Sequence, residues 1–101
     1  MKTQTREGAP LRLRLYVAGD SPNSIVAKAN VENAIAHLAR EDVVLDVIDV
    51  LTNPERGLAD GVLVTPTLVK VSPAPERRIV GNLRDRSVLL AVLGMSDPHV
   101  E

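Results

Sequence analysis

Residues 15–24, LYVAGDSPNS, mark the point where a strand gives way to a helix. The strand begins at Leu11, where leucine and arginine alternate before the run becomes wholly apolar. This pattern is typical of a strand that enters the middle of a sheet. Gly19 ends the strand, Ser21 can cap the helix that follows, and Pro22 suits its first position because the missing N–H would be unpaired there anyway.

The segment after this turn predicts a βαβ unit. Apolar residues recur at helical spacing at Val31, Ala34, Ile35 and Leu38. Residues 43–51, VVLDVIDVL, are rich in β-branched side chains and too short and apolar for a surface helix, so they predict a second buried strand. A strand, a helix and a strand in this order predict a parallel pair joined by a right-handed crossover.

The second half of the chain predicts a short helix followed by two strands. The helix starts either with a capping box formed by Thr52 and Glu55 or with Asn53 as the cap and Pro54 at the first position, and Gly61 is typical of a helix end. Pro66 is expected at the beginning of the third strand, because proline lacks the N–H that a sheet ladder needs. Residues 76–80 are predicted to form a fourth strand that ends at Gly81.

The last element, residues 84–93, fits two structures. Its run of six apolar residues at 88–93 is too short for periodicity to separate a helix from a buried strand. We favour the helix because Asp85 suits a first helical turn. The chain is therefore predicted to be an α/β domain with the thioredoxin-like order β-α-β-α-β-β-α.

One domain is expected, since 101 residues bury a single core. Its predicted bounds are 11–95, between a disordered leader at 1–10 and a flexible tail at 96–101. The leader lacks the apolar block of a signal peptide, and no stretch approaches the roughly 20 apolar residues of a membrane span. We therefore expect a cytoplasmic protein that does not bind membranes.

Composition argues against several classes of function. The absence of cysteine excludes disulfides, thiol nucleophiles and cysteine-based zinc sites. A formal net charge of −1 and a single aromatic residue, Tyr16, argue against a nucleic-acid-binding protein. The glycines lack the spacing of a phosphate-binding loop. We expect neither a cofactor nor a metal ion, and no enzymatic activity.

The functional turn of a thioredoxin fold follows the first strand and faces a cis-proline at the start of the third. Ser21 and Ser24 have the spacing of a C-x-x-C motif, but a hydroxyl cannot replace a thiol in redox chemistry. We expect both serines to stabilise the helix start, since no histidine is near in sequence to act as the base of a hydrolase. Thr65-Pro66 is a candidate for the cis bond, with a trans proline on an edge strand as the alternative.

Charged residues elsewhere do not predict an acid–base pair. Asp46 and Asp49 lie three apart on a strand and point to opposite faces. Asp49 is expected to turn the strand end, Asp46 to face solvent or a partner, and His37 to lie at the surface. The only concentrated positive charge is at Arg77, Arg78, Arg84 and Arg86. Such a cluster forms a solvated face or binds an acidic protein surface.

Four segments together resemble one family. They are LYVAGDSPNS at 15–24, VIDVL and NP within 47–54, TPTLVK at 65–70, and RRIVGNL and DR within 77–86. Over residues 11–93 the chain is similar to the circadian clock protein KaiB family.

The resemblance implies a thioredoxin-like protein without redox activity. Members of the family bind the ATPase KaiC, compete with a sensor histidine kinase whose input domain shares the fold, and help recruit KaiA. Some exchange this fold with a tetrameric ground state of order β-α-β-β-α-α-β, so we expect a homo-oligomer, either a dimer or a tetramer. The family often has a glycine where this chain has Val92, and the more restricted valine favours the thioredoxin-like state.

The resemblance also transfers site residues. The partner-binding residues that it implies are Lys70, Asp46, Leu45 and Arg78, with Asp46 in place of a lysine common in the family. The implied conformational determinants are Pro66, Pro73 and Pro75.

The sequence therefore predicts a non-enzymatic adaptor that binds a KaiC-type ATPase and regulates its signalling or circadian phosphorylation cycle. One alternative is a KaiB-like paralogue outside a clock, acting in stress or signalling. Another is a sensor-input-like module for a histidine kinase. A thioredoxin-like enzyme is disfavoured because the chain has no thiol.

Overall fold

The structure is a computed structural model that describes residues 10–38 and 40–94. The described elements are β1 Leu11–Val17, α1 Pro22–Leu38, β2 Val43–Asp49, α2 Pro54–Ala59, β3 Thr67–Ser72, β4 Arg77–Val80 and α3 Arg86–Val92. This is the order β-α-β-α-β-β-α that the sequence predicts. The predicted leader at 1–10, except Pro10, and the predicted tail at 96–101 lie outside the described residues, as does residue 95.

The four strands form one mixed sheet in the order β2-β1-β3-β4. β1 runs parallel to β2, from the pair Leu11 and Val43 to the pair Val17 and Asp49, which confirms the predicted βαβ unit. β3 is antiparallel to both β1 and β4. β1 pairs with β2 on one side and with β3 on the other, so it lies in the middle of the sheet, as its apolar sequence predicts.

The sheet has an apolar core on each face. On one face, called the α1/α3 face below, the inward residues of β1 pack against the apolar sides of both helices. Its buried members are Leu11, Leu13, Leu15, Val17, Ala27, Val31, Ala34, Leu68, Leu83, Leu89 and Leu93. The opposite face, called the α2 face, has a smaller core of Tyr16, Ile48 and Val69. Most of the apolar burial, and therefore most of the hydrophobic stabilisation, is on the α1/α3 face.

Gly61 ends α2 as predicted, through a hydrogen-bonded cap. Its φ is 68°, its N–H donates to Leu58 O at 3.1 Å, and the Val62 N–H donates to Gly57 O at 2.8 Å. This is the Schellman arrangement, in which a left-handed residue satisfies the last carbonyl groups of a helix. Glycine adopts that conformation at little steric cost.

Asp49 ends β2 two residues before the predicted end of the strand. Its Oδ1 accepts the backbone N–H groups of Gly19 and Leu51, each at 2.9 Å. The carboxylate thereby turns the chain away from the sheet, which is the role predicted for it.

The final element is the helix α3, which confirms the favoured interpretation of the ambiguous run. Asp85 Oδ1 accepts the Val88 N–H at 3.2 Å and so caps the helix. Leu89 and Leu93 are buried against the sheet, whereas Val88 is exposed. The alternative order β-α-β-β-α-α-β is not the arrangement that the structure describes.

Within residues 10–38 and 40–94, none of the helices combines the length and the apolar content that a membrane crossing requires.

Candidate partner-binding surface

The turn between β1 and α1 occupies the position of the redox site in a thioredoxin-like fold, and here it holds two serines. Ser21 Oγ donates to Ser24 Oγ at 2.8 Å, and the Ala18 N–H donates to the same Ser24 oxygen at 3.1 Å. Ser24 is 2% exposed. The sequence predicts that Ser21 accepts a backbone N–H, but its hydroxyl instead orients Ser24, which joins the strand end to the helix start.

Among residues 10–38 and 40–94, no histidine lies near these serines to act as the base of a hydrolase. His37 is exposed at the far end of α1, roughly 20 Å from Ser24 by the helical rise of about 1.5 Å per residue. Nucleophilic catalysis by serine requires a base within hydrogen-bonding reach. The serine turn is therefore a structural link between β1 and α1. Among the described residues, no group of three or more His, Asp or Glu is placed to hold a metal ion.

The four predicted partner-binding residues lie in two neighbouring rows across the sheet. One row contains Leu45, Leu13, Lys70 and Arg77. The next contains Asp46, Arg14, Val69 and Arg78. Since successive strand residues point to opposite faces, the first row lies on the α1/α3 face and the second on the α2 face. The structure therefore brings Asp46 and Arg78 to one face, and Leu45 and Lys70 to the other.

Lys70 is largely inaccessible in this fold. It is 7% exposed, and burial together with the positive charge of Arg77 holds the pKa of its ammonium below the usual value. Leu45 is half-buried and packs against the α1/α3 core. A partner that docks on the surface of this fold can therefore contact only a small part of the Lys70 side chain and part of the Leu45 side chain.

Asp46 lies at the surface of the α2 face, in an ion pair. Arg56 Nη2, from α2, lies 2.9 Å from Asp46 Oδ2, and both side chains keep more than two fifths of their area exposed, 43% and 47%. A partner can therefore reach both charges, and the pair adds little to stability because exposed ion pairs are screened by water.

Asp60 organises the other charges on the α2 face. Its Oδ2 accepts the Tyr16 hydroxyl at 2.7 Å and approaches Arg14 Nη1 at 3.4 Å, and its Oδ1 accepts Arg78 Nη2 at 3.0 Å. Arg78 Nε also donates to Glu76 Oε2 at 3.1 Å. Asp60 thus connects α2, β1 and β4 through one carboxylate.

Tyr16 belongs to this network through its hydroxyl. Burial raises the pKa of the Tyr16 phenol, and the adjacent Asp60 carboxylate raises it further by accepting its proton in a hydrogen bond and by its charge. This network is not predictable from local sequence, because its partners lie far apart in the chain. The only sequence signal was a polar hydroxyl in the apolar part of a strand.

The arginine cluster does not form one patch. Arg77 and Arg78 follow each other in β4 and point to opposite faces, and Arg78 is neutralised by Asp60 and Glu76. Arg84 and Arg86 lie outside β4, before and at the start of α3.

The three predicted conformational prolines follow cis peptide bonds, at Thr65-Pro66, Ser72-Pro73 and Ala74-Pro75. The cis bond predicted before Pro66 is thus confirmed. Pro66 is buried at the start of β3, and its carbonyl accepts the Gly81 N–H at 2.9 Å. Pro73 and Pro75 are exposed in the link between β3 and β4.

Comparison with known families identifies the chain. The model of the KaiB domain matches residues 14–95, which is most of the chain and all of the sheet from Arg14 onward. The chain belongs to the KaiB family.

KaiB proteins of cyanobacteria are close enough in sequence to support this assignment independently. The circadian clock oscillator protein KaiB of Synechococcus elongatus is 46% identical over 83 residues, covering 82% of this chain and 81% of that protein. KaiB clock proteins are non-enzymatic, and so is this family member.

Solved structures confirm the thioredoxin-like fold of this KaiB family member. The N-terminal domain of Synechococcus elongatus SasA superimposes with a TM-score of 0.72 at 28% identity, covering 96% of this chain and 95% of that domain. Fasciola hepatica thioredoxin superimposes with a TM-score of 0.71 at 19% identity, covering 89% of this chain and 84% of that one. The second likeness concerns the fold alone, consistent with serines at the thiol positions.

Proposed function

We propose that this KaiB family member is an adaptor that binds a KaiC-type ATPase and regulates its signalling or circadian phosphorylation cycle. The proposal rests above all on the match to the KaiB domain across residues 14–95. The fold is consistent with it, because the turn that carries redox chemistry in thioredoxins holds two hydrogen-bonded serines here, and the chain has no cysteine.

The α2 face supports contact through Asp46 and Arg78. Both side chains are partly exposed. Asp60, one partner of Arg78, keeps only 17% of its side-chain area exposed, whereas Arg56, the partner of Asp46, and Glu76, the other partner of Arg78, lie at the surface. Exposed ion pairs can be replaced by ion pairs with a partner at little loss of free energy. Such pairs determine the register of the interface and the association rate more than the affinity. Lys70 and Leu45 stay predicted contacts that a partner reaches only if the α1/α3 face is opened.

The test measures association with the KaiC-type ATPase encoded in the same genome. Asp46→Lys reverses the charge on the α2 face and introduces the lysine that is common in the family. We expect it to weaken binding about tenfold, because the proposal requires the ATPase of this genome to present a basic residue opposite Asp46, which a lysine would repel. Biolayer interferometry at two salt concentrations would show the change mainly in the association rate.

Asp42→Lys is the matched control, because Asp42 also forms an exposed ion pair, with Arg40, but immediately before β2. Unchanged binding by the Asp42 variant and weakened binding by the Asp46 variant support the site. If Asp46→Lys and Lys70→Glu both bind like the unaltered protein, the proposed contact residues are wrong. If the unaltered protein does not bind the ATPase at all, the proposed function is wrong.

A second candidate is a module that acts with a sensor histidine kinase, or a KaiB-like paralogue outside a clock. The likeness to the SasA domain favours it, because that domain shows the same fold at the N-terminus of another protein. Purification of the tagged chain from its source cells would separate the candidates. Recovery of a histidine kinase without the ATPase supports the second, and recovery of the ATPase, with or without a KaiA-like protein, supports the first.

A further inference from the structure

An apolar groove opens at the end of the sheet where β1 and β2 finish. It has a volume of about 390 Å³, and α2, the end of β2 and the segment before Pro66 enclose it. Gly57 and Val62 lie in it, together with Leu51, Leu58, Leu63 and Val64. An apolar cavity of about 150 Å³ already holds a benzene ring, so this groove has room for more than one apolar side chain.

Four of the groove's side chains are unusually exposed for their type. Leu51 is 69% exposed, Leu58 76%, Leu63 91% and Val64 51%. Single exposed leucines are normal, but several around one concavity form the kind of patch that marks a protein-binding site. A partner that removes these side chains from water would gain hydrophobic free energy of binding, because folding leaves them exposed.

The backbone beside the groove favours an occupant in extended conformation. Among the described residues, the backbone N–H and C=O groups of Leu63 and Thr65 form no hydrogen bonds. The neighbouring Val64 carbonyl accepts Thr67 Oγ1 at 2.7 Å, which fixes the direction of this segment. Unpaired backbone groups next to an apolar groove fit an extended peptide, whose own backbone can pair with them while alternate side chains enter the groove.

Two acidic residues are close in the chain to residues of the groove. Asp20 adjoins Gly19, where an added Cβ would lie 3.2 Å from Leu51 Cδ1, and Glu55 is in the first turn of α2 beside Pro54 of the groove. Neither Asp20 nor Glu55 forms a salt bridge within the described part of the chain. The nearby Arg56 is already paired with Asp46 on the α2 face. Lysine and arginine in an occupant would therefore meet complementary charge.

We propose that this groove binds an extended segment of a partner protein that presents alternate apolar side chains flanked by lysine or arginine. Its apolar side chains lie between Leu58 and Leu63, its backbone pairs with Leu63 and Thr65, and its basic residues face Asp20 and Glu55. The groove is distinct from Asp46 and Arg78, and the proposal does not depend on which ATPase, if any, the α2 face binds.

The probe is the synthetic peptide acetyl-KRLVLKR-amide, titrated into the full-length ¹⁵N-labelled protein. We expect saturable shifts of the amide resonances of Leu51, Leu58, Leu63 and Val64. The peptide acetyl-EDLVLDE-amide, with the same apolar residues and opposite charge, should bind about tenfold more weakly or not at all. Raising the salt concentration should reduce the difference between the two peptides.

Leu63→Ser and Leu58→Ser should each weaken binding of the basic peptide about tenfold, because each removes an apolar anchor without adding charge. Val44→Ser is the matched control, since Val44 is 45% exposed at the opposite end of β2. All three positions are exposed, and circular dichroism will confirm that the variants stay folded. The proposal is wrong if the basic peptide does not saturate, if both peptides bind equally, or if the Leu63 and Leu58 variants bind as the Val44 variant does. It is also wrong if the same amides shift with protein concentration alone, because a second copy would then occupy the groove.

Discussion

Asp60 joins three elements through a single carboxylate that keeps 17% of its side-chain area exposed. Hydrogen bonds to a charged acceptor are stronger than neutral ones, and partial burial reduces competition from water. Tyr16 supplies the shortest of these bonds, at 2.7 Å. We therefore expect the network to contribute more to stability than the more exposed ion pairs Arg40–Asp42 and Arg56–Asp46.

Tyr16 reports on this network directly, because it is the only tyrosine in the chain. We expect a native titration midpoint above the ordinary 10.0, and a lower midpoint in Asp60→Asn, which removes the carboxylate charge. Ultraviolet absorbance of the phenolate measures both. Because the folded state holds the phenol protonated after the unfolded state has lost its proton, the free energy of unfolding should decrease as the pH rises above 10.0.

Asp60→Asn should also lower the free energy of unfolding at neutral pH by about 1–2 kcal/mol, since its charge-assisted bonds weaken. Asp42→Asn is a control that also loses an arginine partner, Arg40, but at an exposed site. Equal titration midpoints for Tyr16 in the Asp60 variant and in the unaltered protein would contradict this account.

Residues with local partners were predictable from the sequence, whereas those with distant partners were not. The turn at Asp49 and the cap at Asp85 involve groups one to three residues away, apart from the Gly19 amide. Tyr16 and Asp60 are 44 positions apart, and nothing in either local sequence signals the other. The inward direction of Lys70 also escaped prediction, because it follows from the register of β3 against β1.

At the scale of elements, short helices depend on how they end. α2 has only six residues, and few of its side chains are buried. Its end is fixed by Gly61, whose φ of 68° is unfavourable for residues with a Cβ. The sequence predicted this end because glycine at that place has a specific backbone role, and it predicted α3 because Asp85 could cap it.

Gly61→Ala should lower the free energy of unfolding by about 1–2 kcal/mol, the cost of placing a Cβ in the left-handed region. No atom lies within 4 Å of the position of the added Cβ, so the effect is conformational and not a clash. Urea denaturation measures it. Gly61→Asn is the matched control, because asparagine tolerates this region better, and it should cost clearly less. Equal costs for the two variants would show that the left-handed backbone is not the cause.

At the scale of the whole molecule, one sheet carries two differently used faces. The α1/α3 face holds the larger apolar core, and the α2 face holds charges and a smaller core. The alternation at the start of β1 matches this division, since Leu13 lies in the larger core and Arg14 lies on the α2 face. The sequence could not show the exposed groove, because leucine at 51, 58 and 63 is indistinguishable from core leucine until the chain is folded.

The thioredoxin-like arrangement of residues 77–92 has a clear signature in solution. We expect chemical shifts typical of a strand at Arg77–Val80 and of a helix at Arg86–Val92. We also expect one set of resonances, because Leu89 and Leu93 pack α3 against the core. Nuclear magnetic resonance assignment of the full chain measures this. A helix followed by a strand over the same residues, or two slowly exchanging sets, would instead show that the ground-state fold of the family is populated.

The N-terminal and C-terminal halves of the sheet meet only where β1 pairs with β3. The parallel pairing of β1 with β2 belongs to one continuous piece of chain, residues 11–49, whereas everything after α2 enters the sheet only through the border between β1 and β3. If β3 separates from β1, residues 11–49 can keep the hydrogen bonds between β1 and β2 and the helix α1 that connects them. β4 and α3 would then lose their positions against the rest of the sheet. A rearrangement of the residues after α2 therefore does not require residues 11–49 to change their own strand pairing.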